Sequence, residues 1–346
     1  MSLVWKDSLS VGYTDVMSID VSKPTVGVAM AAYRAADTIG STLEALLVQS
    51  MPPARIVVAI DGPDPDTEAV VRSFEPEVEC IVLPENTGGP GGPRNVAVTH
   101  IRKTGDVDAY FFLDADDIPY PRFLEVGLEL LALHPDCPII YLGFDFWYPG
   151  ESIPIPDESV GTVAPWLLDD YLERSGEKLL SFALIRSETC RHVRATGLPF
   201  DPNLRRNQDY DLTVRLLADS PALATSWRGA AYRIYPQSHS SSGVHAWLSR
   251  LLATELLGRD FRASGRFELA AKVDRAAGSA LRRAARHLWI RREPGDRWMA
   301  MRLLFDDILQ RKDLRSLAVV ITLGLGIDTK AAGMSSSDHR KLDRAG

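Results

Sequence analysis

The feature that most limits what this chain can fold into is an alternation of two hydrophobic periods along its first half. VGVAM (26–30), RIVVAI (55–60), ECIVL (79–83), AYFFLD (109–114) and IIYLGF (139–144) are short runs rich in apolar, mostly β-branched or aromatic residues. Strands with no polar face belong to parallel sheets covered on both sides. Between them, residues 38–49, 67–74, 94–103 and 123–133 place apolar side chains at helical spacing. Strand–helix alternation of this kind predicts an α/β layered sheet with right-handed crossovers. Ligands of such sheets bind beyond the carboxyl ends of the strands, which is where Asp61 and Asp114 fall.

The totals narrow the function. The chain has 346 residues, with 39 Lys and Arg against 46 Asp and Glu. A net charge of −7 argues against duplex nucleic acid as the main partner, because phosphate binding needs a basic excess. Three scattered cysteines, Cys80, Cys137 and Cys190, match neither a disulfide framework nor a zinc site. The first residues lack the basic-then-apolar pattern of a signal peptide, and the run at 317–327 is too short to span a bilayer. The expectation is a soluble, cytoplasmic protein, with peripheral contact at a membrane face left open.

Beyond residue 145 the pattern loosens. DFWYPGESIPIPDES reads as an exposed loop with aromatics, 179–185 and 230–235 as strands, and 209–218 as a helix. From 244 to about 310 the sequence is helical with Arg-rich polar faces, and the polar end MSSSDHRKLDRAG reads as disordered. This predicts an N-terminal extension (1–23), an α/β domain (24–245) with a regular part (24–135) and a looser part (136–245), a helical domain (246–330) and a tail (331–346). The C-terminal helices are candidates for packing on that domain, for homo-oligomer formation, or for resting on an anionic membrane.

Four stretches carry chemistry. In FFLDADDIPYP (111–121) an apolar run stops at Asp114, Asp116 and Asp117. Carboxylates so placed at a strand end suit Mg²⁺ or Mn²⁺ with open positions for phosphate oxygens. A solvated turn with Asp117 as a helix cap is the plainer alternative. NTGGPGGPRN (86–95) is a glycine-rich connection that predicts close approach of backbone to a ligand, with Arg94 at a helix start, or else a flexible loop. AIDGPDPDT (59–67) ends a strand on Asp61, while Asp64, Asp66 and Thr67 fit a turn and helix cap. In RRNQDYDLTVRLL (205–217) Asp209 opens a helix, where the dipole favours its charge, and Asp211 and Arg215 fit an i,i+4 pair.

In their order and spacing these stretches resemble the GT-A glycosyltransferases of family 2, over about residues 24–245. That family reads as apolar-x-Tyr-Asn, Asp-Asp-Gly-Ser, Asn-x-Gly-x-x-x-x-Arg-Asn and Leu-Asp-x-Asp-Asp. It continues with Glu-Asp-x-x-Leu and a Tyr-Arg…Ser-x-Ser close, to which NQDYDLTVRL and YRIYPQSHSSS are similar. The resemblance implies a Rossmann-like, mostly parallel sheet flanked by helices, with a C-terminal helical extension; it makes 24–245 the catalytic domain, with 24–135 the nucleotide-sugar part and 136–245 the part for the acceptor and catalytic base. It implies an inverting transfer from a nucleoside-diphosphate sugar, with UDP favoured, to a saccharide or other hydroxyl acceptor. It further implies that Ala32 and Tyr33 flank the base, Asp61 hydrogen-bonds it and Arg94 lines the nucleotide site. Asp114 and Ala115 would meet the ribose or the metal, Asp116, Asp117 and His239 would hold Mn²⁺ or Mg²⁺, and Asp209 would be the catalytic base.

The chain departs from the family pattern at Arg34 (usually Asn), Ile60 (the first Asp), Pro63 (the Ser) and Gln208 (the acid before Asp209). These changes bear on which nucleotide is bound. Two other readings remain: a catalytically silent nucleotide-sugar binding or scaffold protein, and a sugar nucleotidyltransferase. The latter normally places its glycine-rich loop after the first strand, where this chain has AAYRAADT. Trp147, Tyr148 and Trp166 are candidates for stacking on acceptor sugars or for core packing.

Overall fold

The computed structural model describes residues 24–148, 150–155, 159, 161–174, 177–234, 244–291, 294–311 and 314–324. His239, the extension 1–23 and the tail 331–346 lie outside the described residues. The chain divides into two compact units, residues 1–238 and 239–346.

The first unit is built on one sheet. Its leading strands are β1 (Val26–Ala32), β2 (Arg55–Ile60), β3 (Glu79–Val82) and β4 (Ala109–Phe111). They alternate with α1 (Ile39–Leu47), α2 (Pro65–Arg72) and α3 (Gly91–Thr104). After the two-residue β5 (Ile118–Pro119) come α4 (Phe123–Leu133), β6 (Ile139–Trp147), β7 (Val163–Trp166) and α5 (Leu168–Arg174). The remainder is β8 (Ala183–Arg186), α6 (Ser187–His192), α7 (Gln208–Leu217) and β9 (Ala222–Arg233). The spatial order is β3-β2-β1-β4-β8-β6-β9-β5, with β7 on β9. β1 to β4 pair in parallel, as do β6 and β9, whereas β8, β5 and β7 run against their neighbours. The sheet is therefore mixed, with an antiparallel half that the apolar runs did not announce. β1 and β4 are buried almost throughout, while β3, at the edge, is half-buried along its length.

Several boundaries move in ways that matter for the site. Strand pairing in β4 stops at Phe111, and Asp114 returns to the sheet through a single bridge to Ala31. β9 begins eight residues earlier than its apolar end suggests, and β6 runs on to Trp147 into the stretch expected to be loop. α4 buries Phe123, Leu124, Val126, Leu128, Leu130 and Leu131, with the Phe123 ring 4.7 Å from Phe111. Each such side chain contributes about 1.5–3 kcal/mol of burial. Buried Gln49, just after α1, is fully used: Nε2 donates to Tyr120 O (2.8 Å) and Oε1 accepts from Leu124 N (3.0 Å). It ties α1 to the segment that follows the acidic turn.

The second unit is helical: α8 (Val244–Ala263), α9 (Phe267–Arg291), α10 (Asp296–Arg311) and α11 (Leu314–Gly324). Its core combines Leu281, Ala285 and Leu288 of α9 with Ala300 and Leu304 of α10 and Val319 and Leu323 of α11. Among the described residues no helix is long and apolar enough to cross a membrane.

Candidate active site

The carboxyl ends of β1 and β2 set the first wall. Ala32 is buried at the end of β1, and the following Tyr33 is half exposed with the Arg34 guanidinium 5.1 Å from its ring centroid. Arg34 has φ 51°, the left-handed region that Asn tolerates better than Arg, which accounts for the Asn usual there. Its N–H donates to Asp64 Oδ2 (2.7 Å), the residue that caps α2 by accepting from Thr67 N (3.3 Å). Ile60 is fully buried, so the place of the missing acid is core. Asp61 is buried too; its Oδ1 accepts from Thr87 N (2.8 Å) and its carbonyl from Asn86 Nδ2 (3.0 Å). Among the described residues no donor meets Asp61 Oδ2.

The glycine-rich connection serves a different end from the one its composition suggests. A Cβ on Gly89 would overlap the Arg205 carbonyl and lie 2.6 Å from Gln208 Nε2, and one on Gly91 would sit 3.1 Å from Gln208 Cγ. Gly88 (φ 84°) faces the Arg205 side chain. The expected close approach to a ligand is thus, at these positions, a close approach to residues 205–208, immediately before α7. Gln208 is buried there, and among the described residues its Nε2 has no hydrogen-bond partner. The connection bridges Asp61 at one end and the start of α7 at the other.

Arg94, in the first turn of α3, is only 4% exposed. Its Nη2 donates to Asp114 Oδ1, and the guanidinium packs 5.6 Å from the Phe200 ring centroid. Asp114 Oδ2 accepts from Ser181 Oγ (2.7 Å), so both of its oxygens are engaged. The rest of the acidic turn is held by backbone groups. Thr38 Oγ1 donates to Ala115 O (2.9 Å), and Arg233 Nε donates to Asp116 O (2.9 Å). Arg233 N donates to Asp117 Oδ1 (3.1 Å). Asp117 is fully buried and caps no helix, α4 being preceded by Arg122; among the described residues its Oδ2 has no hydrogen-bond partner. Burial, then the charges of Asp114 and Asp116, raise the Asp117 carboxyl well above its usual range. Burial and then Asp114 push Asp116 up to about 6, against the pull of Arg233.

Two buried or half-buried carboxylates short of donors are groups that a divalent cation would relieve. The residues of the acidic turn therefore fit such an ion by chemistry. Among the described residues, however, no group of three or more His, Cys, Asp and Glu is arranged to hold a metal.

Asp209 sits in the first turn of α7, after Asn207 in the left-handed region (φ 60°). Its carboxylate has no hydrogen bond or ion pair among the described residues, and its charge reaches the Tyr141 phenol. Burial chiefly, with Asp209 adding and Thr213 opposing, keeps that phenol protonated. Asp211, by contrast, is buried against Arg194 and, through Oδ1, Arg215 Nε (3.2 Å), the expected i,i+4 partner. Of the aromatics, Trp166 is buried with Arg174 4.4 Å from its ring centroid, and Trp147 carries Arg233 at 4.0 Å on one face. Ser181 and Arg233 were not foreseen as site residues; Arg233 stands in the Tyr-Arg close of the motif series, whereas Ser181 has no sequence signal.

Comparison with known proteins bears on the same stretch of chain. The model of Glycosyl transferase family 2 matches residues 27–176. That span runs from β1 through the acidic turn to α5. Over residues 27–176 the chain matches the family-2 glycosyltransferases, on a mixed, helix-flanked sheet of the GT-A kind.

The transferase domain has curated and structural relatives. An uncharacterised glycosyltransferase of Methanocaldococcus jannaschii, MJ1057, is 24% identical over 207 residues, covering 58% of this chain and 67% of that one. The S. aureus TarS fragment 1–349 in complex with UDP-GlcNAc superposes with a TM-score of 0.63 at 17% identity, over 85% of this chain and 83% of that one. The same fragment with UDP gives 0.55 at 18% identity, over 75% and 71%. Against the longer TarS chain the match spans 43% of its length, at 17% identity, with 75% of this chain covered and a TM-score of 0.55. At these identities the structural likeness speaks to the fold.

Proposed function

We propose that the transferase domain moves a sugar from a nucleoside-diphosphate sugar, UDP-linked by preference, to a hydroxyl acceptor with inversion at the anomeric carbon. The observation that carries this reading is Asp209. It is a carboxylate in the first turn of α7 with no hydrogen bond or ion pair among the described residues, joined through Gln208 and the glycine-rich connection to the strand end that bears Asp61. From there it would take the proton of the acceptor hydroxyl as general base. Asp61 Oδ2, which no donor meets among the described residues, is available to a base N–H, and the half-exposed Tyr33 follows the neighbouring strand end at Ala32. The S. aureus TarS fragments solved in complex with UDP and with UDP-GlcNAc support the choice of donor. Asp116 and Asp117 would hold Mn²⁺ or Mg²⁺, which when bound neutralises a leaving diphosphate. Arg94 and Ser181 fix Asp114 and with it the turn, and Arg233 anchors the turn to β9.

The test is Asp209→Asn. Donor binding, read by calorimetry, should persist while transfer falls by about 10²–10⁴-fold; full transfer in this variant would remove Asp209 as the base. One observation favours the second reading, a catalytically silent nucleotide-sugar binding protein. Arg94 and Asp114, two expected ligand contacts, are turned on each other. Donor hydrolysis measured with and without Mn²⁺ separates the two, since tight binding without turnover across a donor panel selects the silent protein.

A further inference from the structure

The second unit has an apolar face that its own core does not use. α10 buries Ala300, Leu304 and Asp307. On its opposite side Trp298, Phe305 and Leu309 recur at i, i+7 and i+11, exposed by 65%, 49% and 75%. Arg302 lies in the same row, 65% exposed, its guanidinium 5.3 Å from the Trp298 ring centroid and its Nε 3.9 Å from Oδ2 of the exposed Asp306, a loose surface pair that an anionic headgroup would compete with. α11 repeats the arrangement: Leu317 and Ile321, one turn apart, are exposed opposite the buried Val319 and Leu323. A surface helix is normally polar on the side away from its core, so an apolar row there marks an interaction surface.

Charge identifies the partner. Residues 239–346 contain 20 Lys and Arg against 12 Asp and Glu, whereas residues 1–238 contain 19 against 34. The basic excess is confined to the unit that bears the apolar row. A helix with Trp, Phe and Leu on one side and arginines among and around them suits the interface of an anionic bilayer. A symmetric contact with a second copy would instead set two basic units face to face, Arg302 against Arg302.

We propose that α10 and α11 form a docking surface for an anionic lipid bilayer. Trp298, Phe305 and Leu309 enter the boundary between headgroups and acyl chains, and Arg302 meets the lipid phosphates. Over 16 residues α10 is about 24 Å long, enough to lie along the interface without crossing it.

The experiment is co-sedimentation of the full chain with vesicles of phosphatidylcholine alone or mixed with phosphatidylglycerol, at low and high salt. Partition should be at least about tenfold stronger on the anionic vesicles and weaken with salt. The double substitution Trp298→Ser with Leu309→Ser should lower it about tenfold or more. Arg302→Glu keeps the apolar row and should lower it about fivefold or more; it decides the matter if the double variant does not keep its helical circular dichroism. Three outcomes overturn the proposal: no partition of the unaltered chain to anionic vesicles, equal partition to neutral ones, or Arg302→Glu binding as the unaltered chain does. A concentration-dependent dimer that Leu309→Ser dissolves, without vesicle binding, assigns the face to a second copy and likewise overturns it.

Discussion

Three carboxylates within four positions repel one another, and the fold meets each differently. Asp114 is paired with Arg94 and hydrogen-bonded by Ser181, and Asp117 is partly satisfied by the Arg233 N–H. Asp116 is left with burial and a like-charged neighbour, opposed chiefly by Arg233. Asp116→Asn should therefore raise the melting temperature of the cation-free protein at neutral pH, by roughly 1–2 kcal/mol of stability, while transfer falls. An unchanged or lower melting point would contradict the account of its burial. Asp64 behaves in the opposite sense. Burial pushes its pKa up, but Thr67 and Arg34 outweigh this and hold it below 3.8. A depressed folded pKa stabilises above the unfolded value and is lost as pH falls through the folded one. Asp64→Ala should thus cost about 1–2 kcal/mol at pH 7 in urea unfolding, and the difference from the unaltered protein should shrink below about pH 4.

At the scale of elements, the connection between β3 and α3 is shaped by a protein neighbour. Four glycines in 88–92 look like a ligand cradle in the sequence, yet two of them admit the Arg205 carbonyl and the Gln208 side chain. Gly89→Ala should push this connection away from the start of α7, costing about 1–3 kcal/mol and lowering transfer through displacement of Asp209. Retention of both stability and rate would show that the connection is slack enough to absorb a methyl group. The strand assignments of the first half were readable because burial on both faces leaves an unbroken apolar run. β5 and β7 were not, since two residues in one case and the half-exposed VAPW in the other carry no period.

At the scale of the molecule, each unit owns a core. The first gathers side chains from β1, β2, β4, β6, α1 and α4, and the second from α9, α10 and α11. A fragment of residues 1–238 should fold alone, melt cooperatively and be stabilised by UDP-sugar, with about 2.7 kcal/mol gained at a hundredfold excess over Kd. A fragment without a cooperative transition would show that the second unit is needed for the first to fold. The charge division, acidic in one unit and basic in the other, is fully visible in the sequence. The apolar row on α10 is not, because Trp298, Leu304, Phe305 and Leu309 look alike until the core claims only Leu304.

The periods of two and 3.6 residues, and the order of short motifs along the chain, are local properties, and from them the α/β layering, the family resemblance and the strand ends at Asp61 and Asp114 could be read. Which groups face one another is a matter of crossovers and register. Arg94 meets Asp114 twenty positions away, Ser181 meets it from the antiparallel half of the sheet, and Arg233 reaches back 116 positions to Asp117. No periodicity encodes such pairings, because each depends on where a distant strand is laid down. Folding alone turned a knot of like charge into one carboxylate paired with Arg94, one anchored to β9 and one, Asp116, that among the described residues meets no donor beyond its own N–H.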